Sequence, residues 1–211
     1  MEQIAAPGSQ LRLHMQGEDN AVFIRQAGAG HRADVLLDGR QIGTLNGAGS
    51  VVQSGEGQRL ALLATGERIG FDLRQHGAAG NRIDAALRGE DLLLQASQQS
   101  SSPLGPQRLS ATLEGSGHRA EISQTGSSDA RLLEANSIQL VQSGSDNLAL
   151  LRQQGNGNVI EVEQRGSRNQ LQIDQQGQGN VAEVVQLGND IRLPTITQSG
   201  GAQLRIITRD H

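Results

Sequence analysis

From Gln142 to Gly188 the chain writes Gln, any residue, Gly five times over, and each copy begins 11 residues after the last. The glutamines are Gln142, Gln153, Gln164, Gln175 and Gln186, and the glycines are Gly144, Gly155, Gly166, Gly177 and Gly188. Three residues beyond each of the first four glycines stands an asparagine: Asn147, Asn158, Asn169 and Asn180. A fixed internal period of this kind means that one small unit has been stacked many times, and it constrains the fold more than any single residue.

Eleven residues is also the repeat of a right-handed coiled coil. A glycine in every unit, often followed by a second, would break such a helix at every third turn. Between the glycines the residues alternate instead. Asn147, Ala149, Leu151 and Gln153 share one face, and Leu148, Leu150 and Arg152 share the other. The same face recurs as Asn158-Ile160-Val162-Gln164, Asn169-Leu171-Ile173-Gln175 and Asn180-Ala182-Val184-Gln186. Arg152, Glu161, Glu163, Asp174 and Glu183 all fall on the opposite face. Segregation with period two predicts a strand of about seven residues closed by a short glycine turn.

Two such strands make a flat loop. Stacked loops predict an all-β fold, a β-solenoid of ~11-residue strand-turn units, two strands per rung, with cross-β-like spacing of ~4.8 Å. Residues two units apart then lie above one another. This register puts Leu151 over Ile173, Val162 over Val184 and Arg152 over Asp174, an opposite-charge pair. It also puts Glu161 over Glu183, a like-charge stack with a small cost.

Inward amides need partners, because an unpaired buried amide costs roughly 1–3 kcal/mol. Stacked identical amides satisfy each other, as in the Asn/Gln ladders of cross-β structures. The register therefore predicts one ladder of Gln142, Gln164 and Gln186 and another of Gln153, Gln175 and Gln198. Asn147 with Asn169, and Asn158 with Asn180, should line the corners.

The turn glycines can be followed backwards through Gly126 and Gly115 to Gly89, Gly77, Gly66, Gly55, Gly39, Gly28 and Gly17. Longer insertions fall at 40–54, 90–114 and 127–143. The stretch 98–106 (QQSSSPLGP) has loop composition. This divides the chain into a flexible segment 1–8, degenerate repeats over 9–97, a loop at 98–106 and regular repeats over 107–211. In the first block Met15, Leu37, Ala64 and Leu87 stand where glutamine would be, so that half is more apolar. Strand-like alternation starts at Ser9-x-Leu11-x-Leu13-x-Met15 and continues at the other end through Ala202-x-Leu204-x-Ile206-x-Thr208. Pro194 removes one ladder donor and predicts a bulge. Neither end shows a capping helix, so both end rungs are expected to accept another chain.

Composition fits a thin core. Aromatics are 1%, with Phe23 and Phe71 alone, and there are 28 glycines. The formal charge of -4 argues against nucleic acid, which needs a clustered basic face. With no cysteine, disulfides and thiolate metal sites are excluded. No apolar run approaches the ~20 residues of a membrane-spanning helix. Residues 1–10 lack a signal-peptide pattern, so an exported form is expected to have lost its signal. His31 and His118 occupy the turn position held elsewhere by asparagine, and turn polarity accounts for them better than metal binding. The expectation is no catalytic residue, no cofactor and no metal. Glu161, Glu163 and Glu183 read as solvated surface charge rather than a catalytic strip.

Gln175-x-Gly177-x-Gly179-Asn180-x-Ala182-x3-Gln186 resembles the curlin repeat of curli fibre subunits from its first glutamine onward. Gln142-x-Gly144-x-x-Asn147-x-Ala149-x3-Gln153 lacks only the second glycine, and Gln153-x-Gly155-x-Gly157-Asn158 matches through the asparagine. The resemblance is strong over roughly 136–200 and weak, though in phase, over 9–97. The last segment, Ala202–Arg209, looks like the arginine-bearing final repeat of the minor, nucleating subunit. The resemblance implies an extracellular, cell-surface amyloid fibre with roles in biofilm matrix and adhesion. It implies as partners the chain itself or a major curlin subunit, and the outer-membrane secretion and anchoring machinery. Two other readings remain open to the sequence: a soluble, capped β-solenoid adhesin or binding module, and a solenoid enzyme acting on polysaccharide.

Overall fold

The computed structural model describes residues 2–4, 7–17, 20–43, 49–77, 80–101, 105–126 and 134–210. Among these lie fourteen strands and no helix. In chain order they are β1 (Glu2–Ile4), β2 (Val22–Ala29), β3 (Gly49–Glu56), β4 (Leu73–Gly77), β5 (Leu93–Ser100), β6 (Arg108–Ala111) and β7 (Arg119–Thr125). Then follow β8 (Ser137–Ser145), β9 (Leu148–Asn156), β10 (Val159–Ser167), β11 (Gln170–Gln178), β12 (Val181–Leu187), β13 (Ile196–Ser199) and β14 (Gln203–Arg209). Every pairing is parallel. The long sheet runs β1-β2-β3-β4-β5-β7-β9-β11-β13 and the short sheet β6-β8-β10-β12-β14.

The chain is thus the all-β solenoid that the period-two pattern predicts. From β6 onward successive strands alternate between the two sheets, which makes two strands per rung. Register follows the repeat: Leu151 pairs with Ile173, Val162 with Val184, and Gln164 with both Gln142 and Gln186. The core is the strip between the sheets, filled by small and branched residues such as Ile138, Leu140, Ala149, Ile160, Ile173 and Val184. A strip this narrow has room for few rings. Phe71 is fully buried and fits because Gly49 leaves space beside it; a Cβ at Gly49 would strike the Phe71 ring.

The amino-terminal half differs from the repeat in one respect. Its long-sheet strands β2–β5 are regular, but the opposing segments 31–38, 58–65 and 81–88 are not strands. In them Val35, Leu37, Leu62, Ala64, Ala85 and Leu87 have left-handed φ values between 44° and 85°. Their rungs still connect, with Leu37 N–H donating to Leu63 O, Leu62 N–H to Asp84 O and Ala64 N–H to Ala86 O. The departure coincides with the column where Leu37, Ala64 and Leu87 replace glutamine. Apolar side chains pack, but they offer no hydrogen bond along the axis to hold strict cross-β register.

Four boundaries also depart from the repeat reading. β1 pairs with β2, in a segment expected to be flexible. Gln10 bridges to Arg32 on the following rung, but residues 11–16 form no strand, so the alternation from Ser9 to Met15 does not become one. The stretch 90–114 contains β5 and β6, a rung rather than an insertion, and β5 runs to Ser100, into the stretch of loop composition. Ser100 occupies the position of a turn glycine, opposite Gly77. At Pro194 the chain carries an extra residue, so β13 begins only at Ile196 and pairs with β11 over four positions.

Candidate functional site: amide ladders and open end rungs

Because strand side chains alternate, each Gln-x-Gly unit sends its glutamine into the strip between the sheets and its charged residues outward. Gln142, Gln153, Gln164, Gln175 and Gln186 are fully buried, and Gln198 is 5% exposed. On the short sheet Gln142 Nε2 donates to Gln164 Oε1 at 2.8 Å, and Gln164 Nε2 to Gln186 Oε1 at 2.7 Å. On the long sheet Gln153 donates to Gln175 at 2.9 Å and Gln175 to Gln198 at 2.7 Å.

That long-sheet ladder does not begin at Gln153. It starts at Gln26 and passes through Gln53, Gln75, Gln98 and Gln124, with each step between 2.8 and 3.0 Å. These five glutamines were missed by following glycines at a constant period. Gln26-x-Gly28, Gln53-x-Gly55, Gln75-x-Gly77 and Gln124-x-Gly126 carry the signal, and only the spacing between them is irregular.

Each amide has a second N–H, and from Gln153 to Gln198 it ties the two sheets together. Gln153 Nε2 donates to Ser137 O at 3.1 Å, Gln164 to Leu148 O at 3.2 Å and Gln175 to Val159 O at 3.0 Å. Every Nε2 points toward the carboxy-terminal end, so the ladders are polar. At that end the last amides turn aside: Gln186 donates to Ile191 O at 3.0 Å and Gln198 to Ala202 O at 3.1 Å. At the other end Gln26 Oε1 and Gln142 Oε1 are buried acceptors with no donor among the described residues.

The asparagines lie at the corners, fully buried, and do two jobs each. Asn147 Nδ2 donates to Ser143 O and to Gly166 O, at 3.1 and 2.9 Å, pinning its own glycine turn and the next. Its Oδ1 accepts the backbone N–H of Asn169 at 3.0 Å. Asn158 repeats the arrangement toward Asn180, Asn169 toward Ile191, and Asn180 toward Ala202. Asn81 and Asn136 belong to the same set, accepting from Gln107 N–H and Asn158 N–H. The corner contact is thus mainly side chain to backbone.

His118 stands at one such corner, 1% exposed, and its Nδ1 accepts Asn147 N–H at 3.3 Å. Burial lowers its pKa below the ordinary histidine value, partly opposed by the charge of Asp146. His31 is equally buried, with Nε2 3.1 Å from Ala27 O. Among the described residues no group of three His, Asp or Glu could hold a metal.

The turn glycines stack in columns. A Cβ on Gly144, Gly155 or Gly166 would strike the carbonyl oxygen of Gly166, Gly177 or Gly188 in the next rung. Gly188 is shut in by the carboxylate of Asp210, whereas a Cβ on Gly177 would make only an ordinary contact, 3.6 Å from Gly200 N.

Outward charges play a smaller part. Arg152 and Asp174 are in register, yet no ion pair joins them among the described residues. Glu183, stacked on Glu161, is offset by Arg205 at 3.0 Å on the next rung. At the turns Arg168 holds Asp190 with two hydrogen bonds of 2.7 and 2.6 Å, and that bonding keeps the Asp190 carboxyl below its ordinary range.

Among the described residues no strand covers β14 or β13 at the carboxy-terminal end of the stack. β14 has β12 on one side only, and β13 only β11. Leu204 and Ile206 of β14 point inward but are half-buried, and Ile207 is 49% exposed. Thr208 ends the column of Gln142, Gln164 and Gln186. At the amino-terminal end Leu13 and Met15 are 37% and 43% exposed. An open parallel strand edge above an uncovered apolar strip can template a further strand in the same register.

No curated protein and no solved structure matches the chain. Residues 134–166, which hold β8, β9 and β10 up to its last residue, match the curlin associated repeat, so the chain carries a curlin-type repeat.

Proposed function

We propose that this chain is a structural subunit of an extracellular curli-type amyloid fibre, of the nucleating or minor kind, contributing to biofilm matrix and adhesion. The observation that carries the reading is the carboxy-terminal rung. There, among the described residues, the strand β14 has a neighbour on one side only, and its Leu204 and Ile206 are half-buried. The two ladders running up to that rung set the register that an added strand would adopt. The partner would be a second copy or a major curlin subunit, delivered by outer-membrane secretion and anchoring machinery. The nucleating kind is supported by the amino-terminal half, whose short-sheet side lacks both the glutamine column and regular strands. Such a half would make a poor repeating unit but a serviceable base. The curlin-type repeat supports a structural rather than an enzymatic protein.

The test is seeding. Purified chain held at micromolar concentration for a day should form fibres visible by electron microscopy, or should abolish the lag of a curlin major subunit when added in trace amount. A monomer by sedimentation that seeds nothing would overturn the reading and leave a soluble solenoid binding module.

A further inference from the structure

Four consecutive rungs place an arginine at the same register on the outer face of the short-sheet side. Arg32 N–H donates to Gln58 O, Arg59 N–H to Asn81 O and Arg82 N–H to Gln107 O, which aligns Arg32, Arg59, Arg82 and Arg108 in one column. Rungs ~4.8 Å apart bring these guanidiniums close enough to repel. The stack does not require this. Beyond Arg108 the same column continues as Ser137, Val159, Val181 and Gln203, with no charge at all.

Only half of the column is neutralised. Arg32 pairs with Asp34 at 2.7 Å and Arg82 with Asp84 at 2.8 Å, each on its own rung. At the equivalent position the alternate rungs carry Ala61 and Ser110, and Arg59 and Arg108 are exposed with no ion pair among the described residues. Two free guanidinium forks therefore stand two rungs apart, ~10 Å. Beside them the corner is glycine on three rungs, Gly30, Gly57 and Gly80, and Pro106 on the fourth, so that flank carries no polar or charged side chain.

We infer that this arginine column docks a linear acidic polysaccharide, with carboxylate groups of the sugar chain received by Arg59 and Arg108 and the polymer laid along the solenoid axis. The guanidinium fork matches a carboxylate with two parallel hydrogen bonds. Periodic cations on a rigid scaffold suit a polymer whose anions also recur at intervals. Nucleic acid fits less well. The chain has no Trp or Tyr, Phe71 is buried, and Phe23 lies on the long sheet, so the column offers no ring on which bases could stack. A duplex also presents a charge every ~1.7 Å and calls for a broader basic face. The inference does not depend on fibre assembly, because the column lies on the side of one molecule, away from its end rungs.

The test uses the full chain as a fresh monomer over immobilised polygalacturonate, with neutral dextran and duplex DNA as parallel surfaces. Binding should appear on polygalacturonate and fall at least about tenfold as NaCl rises from about 50 to 500 mM. The double variant Arg59→Gln/Arg108→Gln should weaken it at least about tenfold. The variant Arg152→Gln/Arg192→Gln removes the same charge elsewhere and should change it less than about twofold. Both double variants should keep the β circular dichroism of the parent. Equal binding to dextran, equal losses in the two variants, or tighter binding to DNA than to polygalacturonate would each overturn the inference.

Discussion

Gln142 lies above Leu113 in the stack, and its side-chain oxygen has no donor among the described residues. Every ladder of this polarity leaves one orphan acceptor at its amino-terminal end, wherever that end falls. Shortening the ladder from the end moves the orphan; cutting the middle makes two new ones. Gln142→Leu should therefore change unfolding free energy by less than about 1 kcal/mol. Gln164→Leu leaves Gln142 Nε2 without its acceptor and Gln186 Oε1 without its donor, at roughly 1–3 kcal/mol each. The outward change Glu163→Gln on the same strand should be near neutral. Denaturant midpoints of the three variants check the ordering, and equal effects at Gln164 and Glu163 would contradict the inward ladder.

Turn glycines differ in what surrounds them, and a methyl group reads the difference. At Gly155, φ is +117° and a Cβ would meet the Gly177 carbonyl oxygen. At Gly200, φ is +70° and nothing lies within 4 Å. Gly200→Ala should lose only the left-handed cost of about 1–2 kcal/mol. Gly155→Ala adds a backbone collision that relieves itself only by parting two rungs. It should unfold the regular block or fail to refold, as read by circular dichroism and limited proteolysis.

The stretch from Gln142 to Gln186 was legible in the sequence because its loops are all one length. Between Gln142 and Gln186 a glutamine returns to the same sheet every 22 residues, and constant phase reveals both faces and both ladders. The long-sheet ladder from Gln26 to Gln153 instead has steps of 27, 22, 23, 26 and 29 residues. There the extra residues sit in the connections, which the strand register does not feel but a period count does. A ladder requires equal position within the strand, not equal distance along the chain. The left-handed segments around Leu37, Ala64 and Leu87 were illegible for another reason. Their alternation of inward apolar and outward polar residues is the one a strand would show, and side-chain pattern does not report the sign of φ.

His118 should make the fold sensitive to acid. Its Nδ1 must be unprotonated to accept Asn147 N–H, and burial lowers its folded pKa below the unfolded 6.5, with Asp146 opposing in part. Below 6.5 the unfolded chain binds the proton more readily, so stability is full above that value and is lost as pH falls toward and through the lowered folded pKa. Denaturant midpoints measured from pH 7.5 down to 5 should fall. His118→Asn restores the side chain used at the other corners and should flatten this contribution, while Asp146→Asn should enlarge it. Indistinguishable pH profiles for His118→Asn and the parent would show that the corner does not titrate.

Growth, on the reading proposed above, should use one end of the stack. The carboxy-terminal rung ends in the seven-residue strand β14, whereas residues 11–16 at the other end are not a strand although Leu13 and Met15 are exposed. A lysine at Ile206 sets a charge in the uncovered strip where an added strand would bury it, at a cost of several kcal/mol. Because Ile206 is only half-buried in the monomer, its ammonium can reach water there and the chain should still fold. Ile206→Lys is expected to lengthen the lag of seeded growth at least about tenfold, with monomer stability within about 1 kcal/mol of the parent. Leu13→Lys places the same charge at the irregular end and should leave the lag within about twofold. Thioflavin kinetics with each variant as seed distinguish the two ends. If Leu13→Lys blocks growth and Ile206→Lys does not, the template is the amino-terminal rung, and the completeness of β14 has no bearing on assembly.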